Sequence, residues 1–199
     1  MTSDMDHAQV LNKVLKADIQ NIRATLDELD INAFEKAVDR IIEARQIYVM
    51  GLRASAPIAE FFAHYLKFIF PNVRVVTSGI SDVFEQLSRI EEGDLLIGLS
   101  FPRYTKRTVE AMEFAQSRGA SLIAITDGPL SPLHATADTC LMAKSDMSSF
   151  VDSFAAPLSL INALIVALGQ RRRHEVSQYF EDMEEIWGKY DVYLAKTTE

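Results

Sequence analysis

Two short stretches of the sequence place hydroxyl side chains directly after apolar runs. SFPRYT, residues 100–105, follows the apolar run 94–99 and carries Ser100 and Thr105 at its two ends. GLRAS, residues 51–55, follows the apolar run 46–50 and ends at Ser55. A helical pattern begins at Ser55 and at Thr105, and the first turn of a helix has free backbone N–H groups that bind anions. The two stretches therefore predict a site for an anionic ligand.

The same turns hold further candidate binding residues. Gly51 permits a tight exit from the strand, and Arg53 and Arg103 could bind a phosphate or a carboxylate through two parallel hydrogen bonds. Ser78 follows another apolar run and could reach the same place, or serve only in a turn. Tyr104 could stack beside a ligand or cover the turn. The simpler alternatives remain open, namely a helix cap for the serine at position 55 and solvated loop charges for both arginines.

The elements around these turns alternate between strand and helix. Helices are predicted at residues 8–29, 32–44, 55–70, 81–89 (capped by Ser81), 105–118, 150–169 and 172–190, and strands at 46–50, 73–76, 94–99, 121–125 and 139–143. This order predicts an α/β fold, a five-stranded parallel sheet flanked by helices, with an extra N-terminal helix. In such folds the ligand lies outside the carboxyl ends of the strands, where both turns are found.

Composition limits the class of protein. Hydrophobic residues make up 48% and charged residues 24% of the 199 residues, as in water-soluble globular proteins. The net charge of −8 disfavours general attraction to nucleic acid, and the single cysteine excludes an internal disulfide. There is no signal peptide pattern and no apolar stretch of membrane-spanning length. We expect a cytoplasmic protein with no membrane contact, no metal site and no cofactor.

The motifs resemble a known family. Gly51-x-x-x-Ser55, the turn 100–105, the segment 123–127 with 131–133, and Ala137-Asp138 are similar to the SIS (sugar isomerase) domain of MurR/RpiR-type transcriptional regulators. The resemblance covers about residues 33–190. It implies a flavodoxin-like SIS fold whose two turns hold the phosphate of a phosphosugar, and it implies pairing into a homodimer or higher homo-oligomer.

The chain departs from the family pattern at three positions. The family turns read G-x-G-x-S and S-x-S-G-x-S/T, whereas here Arg53 and Arg103 replace two glycines and Pro102 replaces a serine. The site thus loses neutral donors and gains guanidinium groups. The resemblance and the residues of the turns together predict ligand binding by Gly51, Arg53, Ser55, Ser78, Ser100, Arg103, Tyr104 and Thr105.

Function and domains follow from the same resemblance. Residues 1–30 resemble a linker helix, 31–190 the effector-binding SIS domain, and 191–199 a tail. DNA contact is expected only through a helix-turn-helix domain that these first residues are too few to form, so the chain is either a fragment of a regulator or a stand-alone domain. We expect a non-enzymatic sensor, because no clear base stands near the turns. A phosphosugar isomerase or lyase using Glu85 is the alternative, and a purely structural dimerisation module is the third.

Overall fold

The computed structural model describes residues 6–79, 81–147 and 149–193. It contains eight helices and five strands within these ranges. The helices are α1 (His7–Glu28), α2 (Ile31–Glu43), α3 (Ala56–Leu66), α4 (Val83–Gln86), α5 (Lys106–Ser117), α6 (Pro132–Thr136), α7 (Ala155–Arg171) and α8 (Arg173–Lys189). The strands are β1 (Ile47–Gly51), β2 (Val73–Val76), β3 (Leu95–Leu99), β4 (Ser121–Thr126) and β5 (Thr139–Met142).

All five strands form one parallel sheet in the order β2-β1-β3-β4-β5. β1 and β3 are fully buried apolar strands, as expected when helices cover both faces of a parallel sheet. The chain leaves β1 towards β2 on one side and returns as β3 on the other. The strand order therefore reverses between β1 and β3, and the predicted α/β fold is confirmed.

Two apolar layers enclose the sheet. One layer packs α2, α3 and α7 against one face, and the other packs α4, α5 and α6 against the opposite face. Helix α1 lies outside these layers and packs on α7. Within the described part of the chain, no helix is long and apolar enough to cross a membrane.

Several predicted boundaries need correction. Ser81 was expected to cap a helix reaching residue 89, but Asp82 is the N-cap and α4 ends at Gln86. The Asp82 carboxylate accepts the Phe84 amide, and the Glu85 side chain accepts the Asp82 amide at 3.3 Å, which completes a capping box. The helix expected to start at Ser55 begins as a short 3-10 turn, Arg53–Ser55, before α3. Helix α6 was missed because it is a five-residue helix within a turn-rich stretch.

Helix α1 also differs from the expectation for a helix with an apolar stripe. Its buried residues are Asn21 and Thr25, whereas its periodic apolar residues are between 40% and 71% exposed. These exposed residues are Val10, Leu11, Val14, Leu15, Ile19, Ile22 and Leu26. The two residues that α1 buries are therefore polar, whereas the apolar residues of its stripe are exposed.

Candidate functional site

A cavity of about 1050 Å³ lies at the carboxyl ends of β1, β2 and β3. The turns after these three strands line it, together with a segment that precedes α7. Its position at the reversal of strand order is the place where parallel α/β sheets bind ligands. Of the predicted site residues, seven line the cavity: Arg53, Ser55, Ser78, Ser100, Arg103, Tyr104 and Thr105.

Gly51 does not line the cavity but controls the path of the first turn. A Cβ at this position would lie 2.4 Å from the backbone oxygen of Ser55 and 2.7 Å from the Cβ of Ala59. Only a glycine lets the end of β1 pass this close to the start of α3. Gly51 is therefore a positioning residue, and its predicted role as a direct ligand contact has no support in this geometry.

The hydroxyl of Ser55 is not used as a helix cap. Ser55 is 6% exposed, makes no side-chain hydrogen bond to α3 and lines the cavity. Ser100 is 4% exposed, and it is its backbone carbonyl that accepts the Thr126 hydroxyl, at 2.7 Å. Both serines thus line the cavity from the turns that follow two neighbouring strands.

Thr105 differs from the two serines. Its hydroxyl accepts the Thr108 amide at 3.2 Å and caps α5, so part of its hydrogen-bonding capacity is already used. The first backbone N–H groups of α5 belong to Lys106 and Arg107, and both residues line the cavity. This end of α5 combines free amides, the positive end of the helix dipole and two cationic side chains, which favours an anion.

The difference between Thr105, which caps α5, and Ser55, whose hydroxyl caps no helix, can be tested by stability. We expect Thr105→Ala to lower the free energy of unfolding by about 1 kcal/mol, because it removes the N-cap of α5. Ser55→Ala should change it by less than about 0.5 kcal/mol, because its hydroxyl makes no such bond. Urea unfolding measures both, with Thr105→Ser as the control that keeps the cap. Equal losses for the two alanine variants would contradict this division of roles.

Both arginines of the turns have a left-handed backbone. Arg53 has φ of +54° and Arg103 has φ of +65°, which is the conformation that favours glycine. The chain therefore keeps the backbone of a glycine at both positions and carries the cost of a side chain there. Tyr104, between Arg103 and Thr105, donates its hydroxyl to Asp127 at 2.7 Å and so ties the turn to the end of β4. Burial and the Asp127 carboxylate raise the pKa of Tyr104 to about 12.

Cations outnumber carboxylates around the cavity. The cationic side chains are Arg53, Arg103, Lys106 and Arg107, and the carboxylates are Asp82 and Asp152. The Asp82 carboxylate accepts the Phe84 amide and pairs with Arg107 at 2.6 Å, and both contacts lower its pKa. Asp152 lies 3.9 Å from Arg103, a longer and weaker contact. A net positive lining remains within an acidic chain, so the cavity favours an anionic ligand.

Sequence reasoning missed several lining residues. Asp152 and Phe154 come from the segment before α7, far along the chain, and no local pattern indicated that they reach this cavity. Lys106 and Arg107 could have been found, since they occupy the first turn of a predicted helix whose capping residue was identified.

The other residues considered as catalytic bases do not line the cavity. Glu85 completes the capping box of α4 and does not line the cavity. His64 packs edge-on against Tyr65 and Phe68, away from the cavity. His134 and His174 are exposed, on α6 and α8. Among the described residues, no group of three or more His, Cys, Asp or Glu side chains could hold a metal ion.

Comparison with known proteins agrees with this architecture. The model of the SIS domain family matches residues 40–167. The HTH-type transcriptional regulator TTE0211 of Caldanaerobacter subterraneus is 28% identical over 193 residues, which cover 94% of this chain and 67% of that protein. The chain spans between 45% and 67% of the length of the first two curated relatives that it matches.

Several solved structures share the fold of this chain. The sugar isomerase domain of an RpiR transcription factor from Sphaerobacter thermophilus has a TM-score of 0.85 and 29% identity, covering 89% of this chain and 99% of that domain. Vibrio vulnificus NanR complexed with ManNAc-6P has a TM-score of 0.77 and 19% identity, covering 92% and 70%. The phosphoheptose isomerase GmhA from Neisseria gonorrhoeae shares the fold with a TM-score of 0.72 and 17% identity, covering 83% and 100%. The family match covers more than half of the chain, and the chain therefore belongs to the SIS domain family.

Proposed function

We propose that this chain is the effector-sensing domain of an RpiR-type transcriptional regulator and binds a phosphosugar or a related anionic carbohydrate derivative. The observation that carries the proposal is the convergence of two strand-to-helix turns, after β1 and β3, on one cavity with a net positive lining. The similarity to regulators and to the RpiR sugar isomerase domain supports it.

The residues of the cavity suggest how the ligand is held. The phosphate lies between the hydroxyls of Ser55 and Ser100 and the free amides at the start of α5, with Arg53 and Arg103 neutralising its charge. A cavity of about 1050 Å³ leaves room for a sugar beside the phosphate, and Ser78, which lines it, contacts a sugar hydroxyl in this proposal.

Titration calorimetry of the whole chain tests the proposal. The ligands are ManNAc-6P, arabinose 5-phosphate and glucose 6-phosphate, each compared with the same sugar without its phosphate. We expect at least one phosphorylated sugar to bind at least about tenfold more tightly than its unphosphorylated form, a difference of about 1.4 kcal/mol. Ser55→Ala should weaken that binding and leave the free energy of unfolding nearly unchanged. Equal affinities for both forms, or binding of none, would contradict the proposal.

The alternative function is a phosphosugar isomerase, because GmhA shares the fold. An isomerase needs a base beside the carbonyl of its substrate. No His or Glu lines the cavity within the described residues, and Asp82 is engaged by Arg107 and Phe84, so Asp152 is the base that remains. Product formation from the same sugar phosphates tests this. Multiple turnovers that disappear in Asp152→Asn would establish the isomerase and overturn the sensor.

The remaining parts of the proposal concern assembly and context. We place the protein in the cytoplasm as a homodimer or higher oligomer that contacts DNA only through a helix-turn-helix domain outside this sequence. The exposed apolar face of α1 supports self-association, since large apolar patches mark interfaces. Light scattering should give at least the mass of a dimer, and a monomer at micromolar concentration would contradict this. A dimer that binds no anion would favour the purely structural module.

A further inference from the structure

The segment 149–154 contributes two side chains to the cavity. Asp152 has a side chain that is 12% exposed, and its carboxylate lies 3.9 Å from the guanidinium of Arg103. Phe154 packs edge-on against Phe101 of the turn after β3, with 5.6 Å between the ring centres. This segment therefore meets the turn that is expected to hold the anion.

The residue between these two side chains points to a different element. Ser153 donates its hydroxyl to Asp18 of α1 at 2.6 Å and does not line the cavity. Consecutive residues of one segment thus contact Arg103 on one side and α1 on the other. A movement of the backbone at Asp152 would also move Ser153, because the two residues are adjacent.

Further contacts join α1 to the residues just before this segment. The Asn21 side chain donates to the carbonyl of Asp146 at 3.0 Å, and the Lys144 amide donates to the Thr25 hydroxyl at 2.9 Å. Asn21 and Thr25 are the buried residues of α1. Where α1 faces residues 144–153 it is held by these hydrogen bonds and by the Lys144–Glu28 ion pair at 2.6 Å, and such polar contacts can be exchanged for contacts to water. Such an attachment can be released at lower cost than a packed apolar face.

We propose that Asp152 and Ser153 couple anion binding in the cavity to the attachment of α1. The proposal rests on the proposed function and adds a route by which the bound ligand acts on the N-terminal helix. An anion bound to Arg103 competes with Asp152 for the guanidinium and repels its carboxylate. Asp152 then moves away, Ser153 loses its hydrogen bond to Asp18, and α1 is loosened along the face that carries Asn21 and Thr25.

The coupling can be measured either at the cavity or at α1. Anion binding and the attachment of α1 are linked equilibria, and each must change the other by the same factor. If anion binding breaks the Ser153 hydrogen bond, removing that bond in advance must strengthen binding. We expect Ser153→Ala to bind inorganic phosphate about three- to tenfold more tightly, although Ser153 does not line the cavity. Asp152→Asn should also bind phosphate more tightly, because the competing carboxylate is gone.

Two control variants separate this effect from general changes. Ser159→Ala removes a serine hydroxyl that bonds to a carbonyl within α7, and Asp27→Asn removes a carboxylate on the exposed part of α1. Both should bind phosphate as the native chain does. An affinity of Ser153→Ala equal to or lower than that of the native chain would overturn the coupling.

Hydrogen exchange of the whole chain, with and without inorganic phosphate, gives the structural readout. Phosphate should slow exchange in the turns 52–55 and 100–107 and speed it by at least about threefold in α1 around residues 18–25. In Ser153→Ala, α1 should exchange fast already without phosphate. Protected turns with an unchanged α1 would refute the coupling and leave the proposed function intact. Unprotected turns at saturating phosphate would refute both.

Discussion

Gly51→Ala is expected to lower the free energy of unfolding by about 3 kcal/mol, near the upper end for added volume in a packed site. The new Cβ would lie 2.4 Å from the backbone oxygen of Ser55 and 2.7 Å from the Cβ of Ala59. Neither atom belongs to a flexible side chain, so β1 or the start of α3 must move. This movement displaces Ser55, and we expect anion binding to be lost together with stability.

Gly98 provides a matched control on the neighbouring strand. It pairs with Met50 next to Gly51, but a Cβ there would meet the sulfur of Met112 at 2.6 Å, on a side chain that can change rotamer. We expect Gly98→Ala to cost about 1 kcal/mol, and Gly128→Ala, with open space around it, to cost less. Urea unfolding ranks the three variants. A loss for Gly51→Ala no larger than that for Gly98→Ala would show that the approach of α3 to β1 is adjustable.

Arg53→Gly and Arg103→Gly are expected to change stability and binding in opposite directions. Each substitution removes a non-glycine residue from the left-handed backbone region, where it costs about 1 kcal/mol of strain. Each also adds the backbone freedom of glycine to the unfolded chain. The free energy of unfolding should rise by about 0.5 kcal/mol for each variant. The affinity for a phosphosugar should fall about tenfold, because a charge-assisted contact is lost.

A second substitution separates charge from strain. Arg103→Ala removes the guanidinium and keeps a side chain at φ of +65°, so it should lose affinity as Arg103→Gly does but gain no stability. Asp191, with φ of +49° beyond α8, is the control for strain alone, and Asp191→Gly should leave binding unchanged. Thermal unfolding and calorimetric titration report the two quantities. Unchanged affinity in both Arg103 variants would show that this arginine is a surface charge without a role in binding.

Most of the sheet could be predicted from the sequence because its signals are local. Each buried strand reads as a short apolar run closed by a turn, and the turns that end at Ser55 and Thr105 follow such runs directly. Asp82 and Glu85 form a D-x-x-E pattern, which indicates that Asp82, and not Ser81, caps the start of α4. The parallel order then brings the two turns together without further information.

The features that could not be predicted from the sequence depend on contacts between distant segments of the chain. Nothing near Asp152 in sequence indicates that it reaches Arg103, because the contact depends on the path of the chain from β5 to α7. Helix α1 shows a clear apolar stripe, but periodicity cannot tell whether the stripe faces the core or another molecule. Its polar residues Asn21 and Thr25 became the buried ones because they meet backbone groups near β5.

The pairing of β1 with β3 has a consequence for the lifetime of the protein. Ile47 pairs with Leu95, so the ladder that brings the two turns together closes a long loop of chain and forms slowly. A ligand that needs both turns has nothing to bind until this ladder exists, and it adds stability only to the assembled state. We therefore expect the ligand to slow unfolding while leaving the folding rate unchanged. The concentration of the ligand would then set how long each folded copy survives proteolysis.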